Sequence, residues 1–532
     1  PNGRWENVRD RHELYCAGHL MEAAVAHYRA TGKKHFLDSL CKFADHIDSR
    51  FGRDEGKVRG YPGHEEIELA LVKLYHATGN GRYRDLASFF IRERGEVPYF
   101  FQEEARGRGE ANGDFFGTIE RMKHWQAHAP IIDQQEAVGH AVRAGYFYAG
   151  AVDIAREQGD IVLLDACKRL WTNIATSKLY ITGGTGARYE GEAFGDTYEL
   201  PSESAYAETC AAIAFILFSH RLLQVDLDAK YADEMERALY NGMISGVSLD
   251  GRNFFYVNPL SYTTVPGEKK RHQRNTNRRQ EWFGCACCPN NLSRLIASIG
   301  SFAYSIDDAQ DTIAVHLFIE SKVNLELGAT GTEVIITQET AYPWNGDVAI
   351  TMSVEKNARF SMLLRIPGWC NHHEININDE KVDAAIVNGY ARLERAWRDG
   401  DLISFHMDMP VARIHANPRV AELHGRVAIT RGPIVYCIEG ADNGKDLQQL
   451  LLPASSALQV DTEPSRLGGM PCITARGYRS RIKPSAINAL YTDIEGELVP
   501  EIIRFIPYHA WGNRKPGDML VWIRECMVCF PP

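Results

Sequence analysis

The stretch Ile67–Ile91, IELALVKLYHATGNGRYRDLASFFI, carries the pattern that decides the fold of the N-terminal part of the chain. Ile67, Leu71 and Leu74 fall at the i, i+4 and i+7 positions, which form one face of a helix. Gly79 follows the last of the periodic residues, where a residue without Cβ allows the positive φ that ends a helix. A second apolar-striped segment follows the turn. The stretch therefore predicts a helical hairpin.

Other segments before residue 300 repeat this layout. They are 21–47 with a turn at Gly32, 142–174 with a turn at Gly159, and 228–239 without the glycine. Loosely repeated helical hairpins are typical of a toroid or solenoid of helices. An irregular all-α domain is the alternative.

After about Tyr304 the pattern changes to short β-branched or alternating segments between Gly, Asn and Pro turns, which is the spacing of a β-sandwich. The predicted strands are 315–318, 322–327, 333–337, 348–354, 360–366, 426–430, 434–438, 502–507 and 519–524. The segment 447–484 is predicted to be a loop-rich insertion. We therefore expect an α + β multidomain chain, with a helical domain over 1–304 and β domains over 305–410 and 411–532.

Composition excludes several classes of protein. A chain of 532 residues predicts about three domains and a large core. Its net charge of −10 argues against a nucleic-acid or anionic-membrane surface. The longest apolar run, Cys210–Phe218, is far shorter than the ~20 residues that span a bilayer. Twelve cysteines in a chain of this length are not a disulfide scaffold. Pro1–Arg4 shows no signal-peptide layout.

Three of the cysteines lie together in FGCACCPNN, residues 283–291. Pro289 marks the first turn of a helix, so Cys287 and Cys288 are predicted at its N-terminus. The helix dipole and free N–H groups there favour a thiolate. A metal ligand or a nucleophile is one interpretation, and a pair of buried inert cysteines is the other.

A second segment, 204–210 with sequence SAYAETC, bears on that choice. Glu208 and Cys210 stand two residues apart, so they can bind one ion only at a distorted or terminal helical turn. Together with Cys287 and Cys288 they would make a set of three cysteines and one glutamate, within the tetrahedral chemistry of zinc. Because the spacing matches no standard zinc finger, a purely structural zinc site is the alternative.

The glycine-rich stretch 181–194 lacks the preceding strand and the Lys-Ser/Thr ending of a phosphate loop. A flexible loop of this kind suits the lining of a cavity, with Glu190 or Glu192 as a candidate proton donor. A solvated surface role is the alternative for either side chain.

Histidines recur at predicted helix starts, namely His12, His64 and His140, with His19 close to the first. Imidazoles at successive helix starts would line one rim of a ring of hairpins. Each one alone is more often a capping or core residue, so the recurrence carries the functional interpretation.

The chain resembles glycoside hydrolase family 127, the bacterial β-L-arabinofuranosidases, over nearly its whole length. The similarity is carried by the following motifs: Gly63-His64-Glu65, Gly139-His140-Ala141-Val142-Arg143, Glu192, Glu208-Thr209-Cys210, Phe254–Asn258, Phe283–Pro289, Arg365–Trp369 and Arg431–Tyr436. The cysteine segment is the most specific of these.

The resemblance implies an (α/α)6 barrel followed by two β-sandwich domains, with early barrel helices that precede Pro1. It implies Zn2+ held by Glu208, Cys210, Cys287 and Cys288. Cys287 would be the nucleophile and Glu192 the general acid/base of a retaining exo-glycosidase that releases L-arabinose from β-L-arabinofuranosides of plant glycans. The implied sugar contacts are His12, His64, His140 and Tyr256, with His12 preferred to His19 for its even spacing to His64.

Three other functions stay open at this point. The enzyme could act on another unusual pectin sugar, or it could be a two-carboxylate hydrolase with a structural zinc. A non-enzymatic carbohydrate-binding protein is the third. We expect a small-molecule or oligosaccharide substrate, no nucleic acid and no membrane, and the sequence leaves a homodimer open. A zinc thiolate survives best in a reducing compartment, which favours the cytoplasm.

Overall fold

The computed structural model describes residues 3–110, 119–264, 273–462, 467–494 and 496–526. Of the twelve cysteines, Cys529 lies outside these ranges. The chain divides into two compact units. Unit 1 comprises 1–179, 185–199 and 214–226, and unit 2 comprises 180–184, 200–213 and 227–532. No helix in the described ranges is long and apolar enough to cross a membrane.

The helices lie mainly before residue 304. They are α1 (Glu13–Thr31), α2 (His35–Arg50), α3 (Ile67–Thr78), α4 (Gly81–Glu93), α5 (Phe100–Gly107), α6 (Ile119–Lys123), α7 (Ala141–Gln158), α8 (Ile161–Ser177), α9 (Thr209–Val225), α10 (Ala229–Arg237), α11 (Cys287–Ser298), α12 (Gly300–Ala303) and α13 (Gly440–Asn443).

The predicted helical hairpins are present in unit 1. The helices α1, α3 and α7 end at Gly32, Gly79 and Gly159, whose φ values of 68°, 72° and 63° are left-handed. The side chains of Asn80 and Asp160 cap the following helices, α4 and α8. Glycine at these turns ends one helix without a Cβ clash and allows the next to begin at once.

Alternate helices of unit 1 differ in burial. α7 is buried along most of its length, whereas α2, α4 and α8 bury one face each. α1 packs against α3, and α3 packs against α7. A Cβ on Gly18 of α1 would lie 2.9 Å from the backbone of Ile67, so the first of these crossings requires a glycine. Of these helices α7 is the most buried, and it is followed by α8, which has one exposed face.

The strands lie after residue 260 and belong to unit 2. They are β1 (Ser261–Tyr262), β2 (Tyr304–Asp307), β3 (Thr312–Val315), β4 (Ser321–Leu327), β5 (Thr332–Thr340), β6 (Asp347–Val354), β7 (Ala358–Arg365), β8 (His373–Ile377), β9 (Glu380–Lys381), β10 (Ala385–Val387), β11 (Tyr390–Trp397), β12 (Leu402–Met407), β13 (Val411–Ile414), β14 (Arg426–Arg431), β15 (Ile434–Glu439), β16 (Leu450–Pro453), β17 (Leu458–Asp461), β18 (Cys472–Arg481), β19 (Glu497–Pro507), β20 (Met519–Leu520) and β21 (Ile523–Cys526).

Residues 304–407 form two sheets, as a sandwich requires. The order is β10-β11-β7-β3-β2 in one sheet and β4-β5-β6-β12-β8-β9 in the other. In the central strand β6, inward residues alternate with exposed or half-buried ones, which is the period of a strand with one covered face.

The described strands after residue 410 differ from the expected pair of sheets. They join with β1 in one ten-stranded sheet. Pairing of β14 with both β15 and β21 closes a ring of strands in the order β14-β15-β19-β18-β16-β21. Ile429, Tyr436, Ile473 and Phe505 are among the residues of the core in this domain. The hydrogen-bond ladder therefore continues around the domain instead of breaking into separate sheets.

Two local predictions in the β region are wrong. The segment 447–484, expected to be an insertion, contains β16, β17 and β18, and β18 pairs with β19 from Ile473 to Arg481. The predicted strand 315–318 begins where β3 ends, at Val315. The following apolar residues are buried by packing rather than by a sheet ladder, and His316 Nδ1 lies 2.7 Å from the hydroxyl of Tyr390.

A buried ion cluster connects α10 to β7 within unit 2. Arg365 is fully buried and pairs with Glu236 and with Asp233, the latter at 2.6 Å. The hydroxyl of Tyr342 donates to Glu236 at 2.7 Å. Removal of one partner from such a cluster leaves a buried charge without compensation.

We expect Arg365→Met to lower the free energy of unfolding by about 3–5 kcal/mol, because Glu236 would lose its cation. Urea and thermal unfolding of the purified variant measure the change. Arg359→Met on the same strand is the matched control, since Arg359 pairs with Glu394 at an exposed position. Its loss should be about 1 kcal/mol or less. Equal effects in the two variants would contradict a buried-charge origin.

Candidate active site

One carboxylate and three thiols converge in unit 2, and we call this set the thiolate cluster: Glu208, Cys210, Cys287 and Cys288. Their ligand atoms all lie within 4.8 Å of one another. The Sγ of Cys288 lies 3.7 Å from that of Cys210 and 3.8 Å from that of Cys287. The Sγ of Cys287 is 3.5 Å from Oε1 of Glu208. The sequence-predicted set is thus brought together.

The backbone around Glu208 explains how residues i and i+2 reach one point. Glu208 directly precedes α9, and its carbonyl accepts the N–H groups of the first turn. Ala207 has a φ of 36°, a left-handed value that is rare for a residue with a side chain. Glu208 bridges to Val257, so the chain enters the helix from an extended segment. Cys210 then lies in the first helical turn, as the spacing requires.

Cys287 and Cys288 begin α11, and Pro289 occupies its first turn. This agrees with the prediction from FGCACCPNN. At a helix N-terminus the free N–H groups and the dipole stabilise negative charge. The helix therefore presents two adjacent thiols at the end where its dipole is favourable to negative charge.

The spacing of the thiolate cluster fits a tetrahedral metal ion. Zinc–sulfur bonds of about 2.3 Å place two sulfur ligands about 3.8 Å apart in a tetrahedron. The observed sulfur separations of 3.7 and 3.8 Å agree with this, and they are far too long for a disulfide bond. The donor set could hold a metal ion, and its three sulfurs favour a soft ion such as zinc.

The thiols of the cluster differ in acidity. Hydrogen bonds from Cys287 and Cys288 lower the pKa of Cys210 to about 7. Burial, with the neighbouring thiols, raises the pKa of Cys288. Several anionic ligands in one buried place repel one another, so their joint ionisation needs a cation at the centre.

Tyr256 adjoins the thiolate cluster. Its hydroxyl lies 3.2 Å from Sγ of Cys287, a distance at which a phenol O–H can donate to a thiolate. The guanidinium of Arg274 lies 4.0 Å from the centre of the Tyr256 ring and donates to the hydroxyl of Tyr206 at 2.6 Å. Arg274 lies three residues after a basic run, 269–271, and the sequence gives no signal of this contact.

The three helix-start histidines and one further histidine form a row of neighbouring rings in unit 1, which we call the imidazole row: His12, His64, His140 and His124. Ring centres are 5.7 Å apart from His12 to His64, 5.6 Å from His64 to His140, and 5.7 Å from His140 to His124. His12 and His140 are the N-caps of α1 and α7. His64 lies just before α3. The structure thus brings the rings of His12, His64 and His140 together in unit 1.

Sequence reasoning missed His124, which follows no glycine and begins no helix. His19 lies outside the row and pairs with Glu66 at 3.1 Å.

Backbone contacts fix the proton positions on the rings. Nδ1 of His64 donates to the carbonyl of Glu65 at 2.8 Å, and Nδ1 of His12 donates to the carbonyl of Asp10 at 2.8 Å. Because burial lowers the pKa of His64 well below its usual value, this ring is neutral near pH 7. A neutral ring with its proton on Nδ1 presents Nε2 as an acceptor. His64 can therefore accept a hydrogen bond from a hydroxyl group. Nε2 of His12 is the remaining polar atom of that ring, since its Nδ1 also contacts a backbone carbonyl.

His140 has the opposite arrangement. Its Nδ1 accepts from the backbone N–H of Arg143 at 3.5 Å, and its Nε2 lies 3.2 Å from Oε2 of Glu192. Burial lowers the pKa of His140 to about 4, although the hydrogen bond that the ring donates to Glu192 acts to raise it. The neutral ring therefore carries its proton on Nε2 and donates a hydrogen bond to Oε2 of Glu192.

Glu192 occupies a strained turn. Its φ is 53°, a left-handed value, and that of Gly191 is 74°. Ala193 bridges to both His140 and Arg188, which holds the turn on either side. Glu190, the other candidate proton donor, is exposed, whereas Glu192 is half-buried. Strain of this kind persists where the surroundings impose it, and it often marks functional sites.

Comparisons with known proteins identify the chain. The β-L-arabinofuranosidase catalytic domain of glycoside hydrolase family 127 matches residues 1–301. The middle domain of that family matches 312–409, and its C-terminal domain matches 411–524. The chain is therefore a multidomain glycoside hydrolase. It belongs to glycoside hydrolase family 127.

Individual relatives agree with this assignment. The chain is 37% identical to a non-reducing end β-L-arabinofuranosidase of Bifidobacterium longum subsp. longum, over 98% of this chain and 80% of the relative. A family 127 β-L-arabinofuranosidase from Geobacillus stearothermophilus T6 is 48% identical, with a TM-score of 0.94 over 99% of this chain and 82% of the other. A family 127 β-arabinofuranosidase is 39% identical, with a TM-score of 0.86 over 98% and 78%.

Proposed function

We propose that the protein is a retaining exo-glycosidase that releases L-arabinose from β-L-arabinofuranosides of plant glycans. The observation that carries this is the thiolate cluster, in a chain whose family relatives are named β-L-arabinofuranosidases. A polyol substrate also suits the imidazole row, since neutral imidazoles exchange hydrogen bonds with hydroxyl groups.

We assign Cys287 as the nucleophile and Glu192 as the general acid/base. The Sγ of Cys287 forms a bond to the anomeric carbon while the bond to the departing oxygen breaks, and Glu192 gives that oxygen its proton. Glu192 then takes a proton from water, which attacks the anomeric carbon and releases the Cys287 thiolate. Two displacements at one carbon return the original β configuration.

We assign the metal as Zn2+ and its ligands as Glu208, Cys210, Cys287 and Cys288. When bound, zinc keeps a coordinated thiol deprotonated near neutral pH. Groups of the protein also stabilise a negative charge on the Cys287 sulfur. The Tyr256 hydroxyl can donate to it, and the sulfur lies at the N-terminus of α11, where the helix dipole favours negative charge.

We assign His12, His64, His140 and Tyr256 as sugar contacts. His12 and His64 offer acceptors and so fix sugar hydroxyls as donors. The proton that His140 holds toward Glu192 keeps the carboxylate oriented in its turn. Tyr256 can serve both the sugar and the sulfur of Cys287.

We also infer an architecture close to the one that the family resemblance implies, an (α/α)6 barrel over 1–304 followed by a β-sandwich domain over 305–410 and a β domain over 411–532. The packing of α1 on α3 and of α3 on α7, with each of the three also packed on the helix that follows it, supports the barrel. All cysteines in the described ranges are free thiols, which supports a reducing cytoplasm as the location.

Hydrolysis of p-nitrophenyl β-L-arabinofuranoside, measured together with metal content, tests this function. We expect about one zinc ion per chain, hydrolysis of the β but not the α anomer, and loss of more than about 90% of the activity on chelation, because thiols without the ion reprotonate near pH 7. Zinc added back should restore the rate.

Each part of the proposal has its own contradicting result. A metal-free protein with full activity would contradict the role of zinc. Hydrolysis of a different pentoside, without hydrolysis of the arabinofuranoside, would contradict the assigned sugar. Binding of furanosides without turnover, by an intact and metal-loaded protein, would contradict catalysis.

A further inference from the structure

Arg143 is a buried cation, and the described part of the chain provides it with no ion pair. Its side chain is 9% exposed, and its Nε and Nη1 atoms are buried without a hydrogen-bond acceptor. Burial of an unpaired charge is costly, and more than nine-tenths of buried polar groups in proteins find a partner. Arg143 therefore requires an explanation beyond packing.

The residue belongs to the surroundings of the imidazole row. It lies one turn after His140 on α7, and its own backbone N–H reaches Nδ1 of His140. After burial, the Arg143 charge is the next cause that lowers the pKa of His64 and that of His124. The guanidinium therefore lies near several rings of the row at once.

The need to neutralise buried carboxylates does not by itself explain why Arg143 is buried. Glu65 and Glu68 are fully buried behind His64, and Arg94 pairs with them at 2.9 and 3.5 Å. The charge of Glu65 also acts on Arg143, but no ion pair within 4.0 Å joins them in the described structure. A guanidinium that served only as a counter-ion would be expected to turn its N–H groups to the carboxylate.

A sugar hydroxyl can be the hydrogen-bond acceptor that Arg143 lacks. A hydroxyl that gives its proton to Nε2 of His64 keeps two lone pairs. In a site closed to water these lone pairs need donors, because a buried acceptor left unpaired costs about 1–3 kcal/mol. Arg143 is a cation near His64 with N–H groups that no protein acceptor uses.

We propose that Arg143 is a substrate-binding residue that donates to the same sugar hydroxyl whose proton His64 accepts. The ligand is a neutral polyol rather than an anion, since the charges of Glu65 and Glu192 both oppose that of the guanidinium. This rests on the proposed function, because it takes the imidazole row as the sugar-binding surface. It adds a specificity determinant, a paired donor and acceptor for one hydroxyl.

Analogue kinetics with variants test the pairing. Arg143→Gln, Arg143→Lys and His64→Gln are compared with the parent protein on the aryl glycoside and on analogues that each carry hydrogen or fluorine in place of one hydroxyl. We expect Arg143→Gln to lower kcat/KM by about 10- to 100-fold on the complete sugar, since the lost hydrogen bond involves a charged donor. On the one analogue that lacks the shared hydroxyl, the Arg143 and His64 variants should both have the same kcat/KM as the parent.

Controls separate contact from structure. Arg156→Gln, at the exposed end of the same helix, should leave the kinetics unchanged. If Arg143→Gln does not fold, as judged by circular dichroism and thermal unfolding, the coupling is read on Arg143→Lys, which keeps the charge and loses the planar fork.

Three results would overturn the proposal: equal losses on every analogue, coupling of Arg143 and His64 to different hydroxyls, or recovery of Arg143→Gln by Glu65→Gln, which would make Arg143 a counter-ion. If the parent enzyme hydrolyses another glycoside instead, the proposed sugar is wrong. The effects of the Arg143 and His64 variants would then be compared on analogues of that glycoside that each lack one hydroxyl. A folded, metal-loaded parent without glycosidase activity would contradict both proposals.

Discussion

Cys287→Ala protein is expected to hydrolyse aryl β-L-arabinofuranosides at least about 10⁴-fold more slowly than the parent, which corresponds to roughly 5.4 kcal/mol of transition-state stabilisation. The reason is that no other side chain of the thiolate cluster has the assigned role of attacking the anomeric carbon. Initial rates at saturating substrate, with metal content measured on the same sample, give the effect on kcat.

Loss of a metal ligand must be separated from loss of the nucleophile, since Cys287 is assigned both roles. Cys288→Ser is the matched variant, because Cys288 is buried beside Cys287 and is assigned as a ligand alone. Its activity should fall with its zinc content and recover in excess zinc, whereas that of Cys287→Ala should not. Cys16→Ser, at an exposed position on α1, controls for thiol loss in general and should retain full activity.

The stereochemistry of a rescued reaction distinguishes the roles further. Azide that occupies the space left by the Cys287 thiol would displace the leaving group once, so the product is an azide of inverted configuration. In the parent, a rapid acid quench should trap one pentosyl group on Cys287. Metal-loaded Cys287→Ala protein with activity within tenfold of the parent would contradict the nucleophile assignment.

The helical hairpins could be predicted from the sequence because their signals are local. The helix 67–78 has the bounds that its periodicity and Gly79 predict. The strand β18 could not be predicted in this way. It contains Gly477 and three arginines, two of them exposed. Its stability comes from pairing with β19 and from close packing, since a Cβ on Gly477 would lie 2.6 Å from the carbonyl of Leu451. Such partners are distant in sequence and leave no local periodicity.

The residues of the candidate site also differ in whether a local sequence signal predicts them. Glu208 and Cys210 carry a local signal, since their spacing requires a helix terminus and α9 begins between them. The role of His124 depends on its place beside His140, and that of Arg143 depends on what surrounds it after folding. Burial of a charged group without a hydrogen-bond acceptor is a property of the folded chain, so no sequence motif indicates it.

Glu192→Gln protein is expected to lose about 10²- to 10⁴-fold in kcat/KM on glycosides with poor leaving groups and much less on an activated aryl glycoside. An activated leaving group departs without a proton, whereas an alcohol of a natural glycan needs one. Rates across a series of aryl glycosides, plotted against leaving-group pKa, measure the difference. The parent should show a shallow slope and the variant a steep one.

Glu190→Gln is the matched control, because Glu190 lies two residues away in the same turn, is exposed, and was the other candidate donor in the sequence. Its slope should equal that of the parent. If the two variants exchanged behaviours, the proton donor would be Glu190, and the contact of Glu192 with His140 would be structural.

The second step of the reaction gives Glu192 a signature that Cys287 cannot share. Without a base to activate water, the glycosyl-enzyme of Glu192→Ala should accumulate on the activated substrate and appear as a burst of product. Azide needs no base, so it should accelerate turnover and give an azide of retained configuration, opposite to the product of Cys287→Ala. Because one variant retains and the other inverts, the two products assign each residue to its own face of the sugar. Azide products of the same configuration from both variants would show that at least one of the two assignments is wrong.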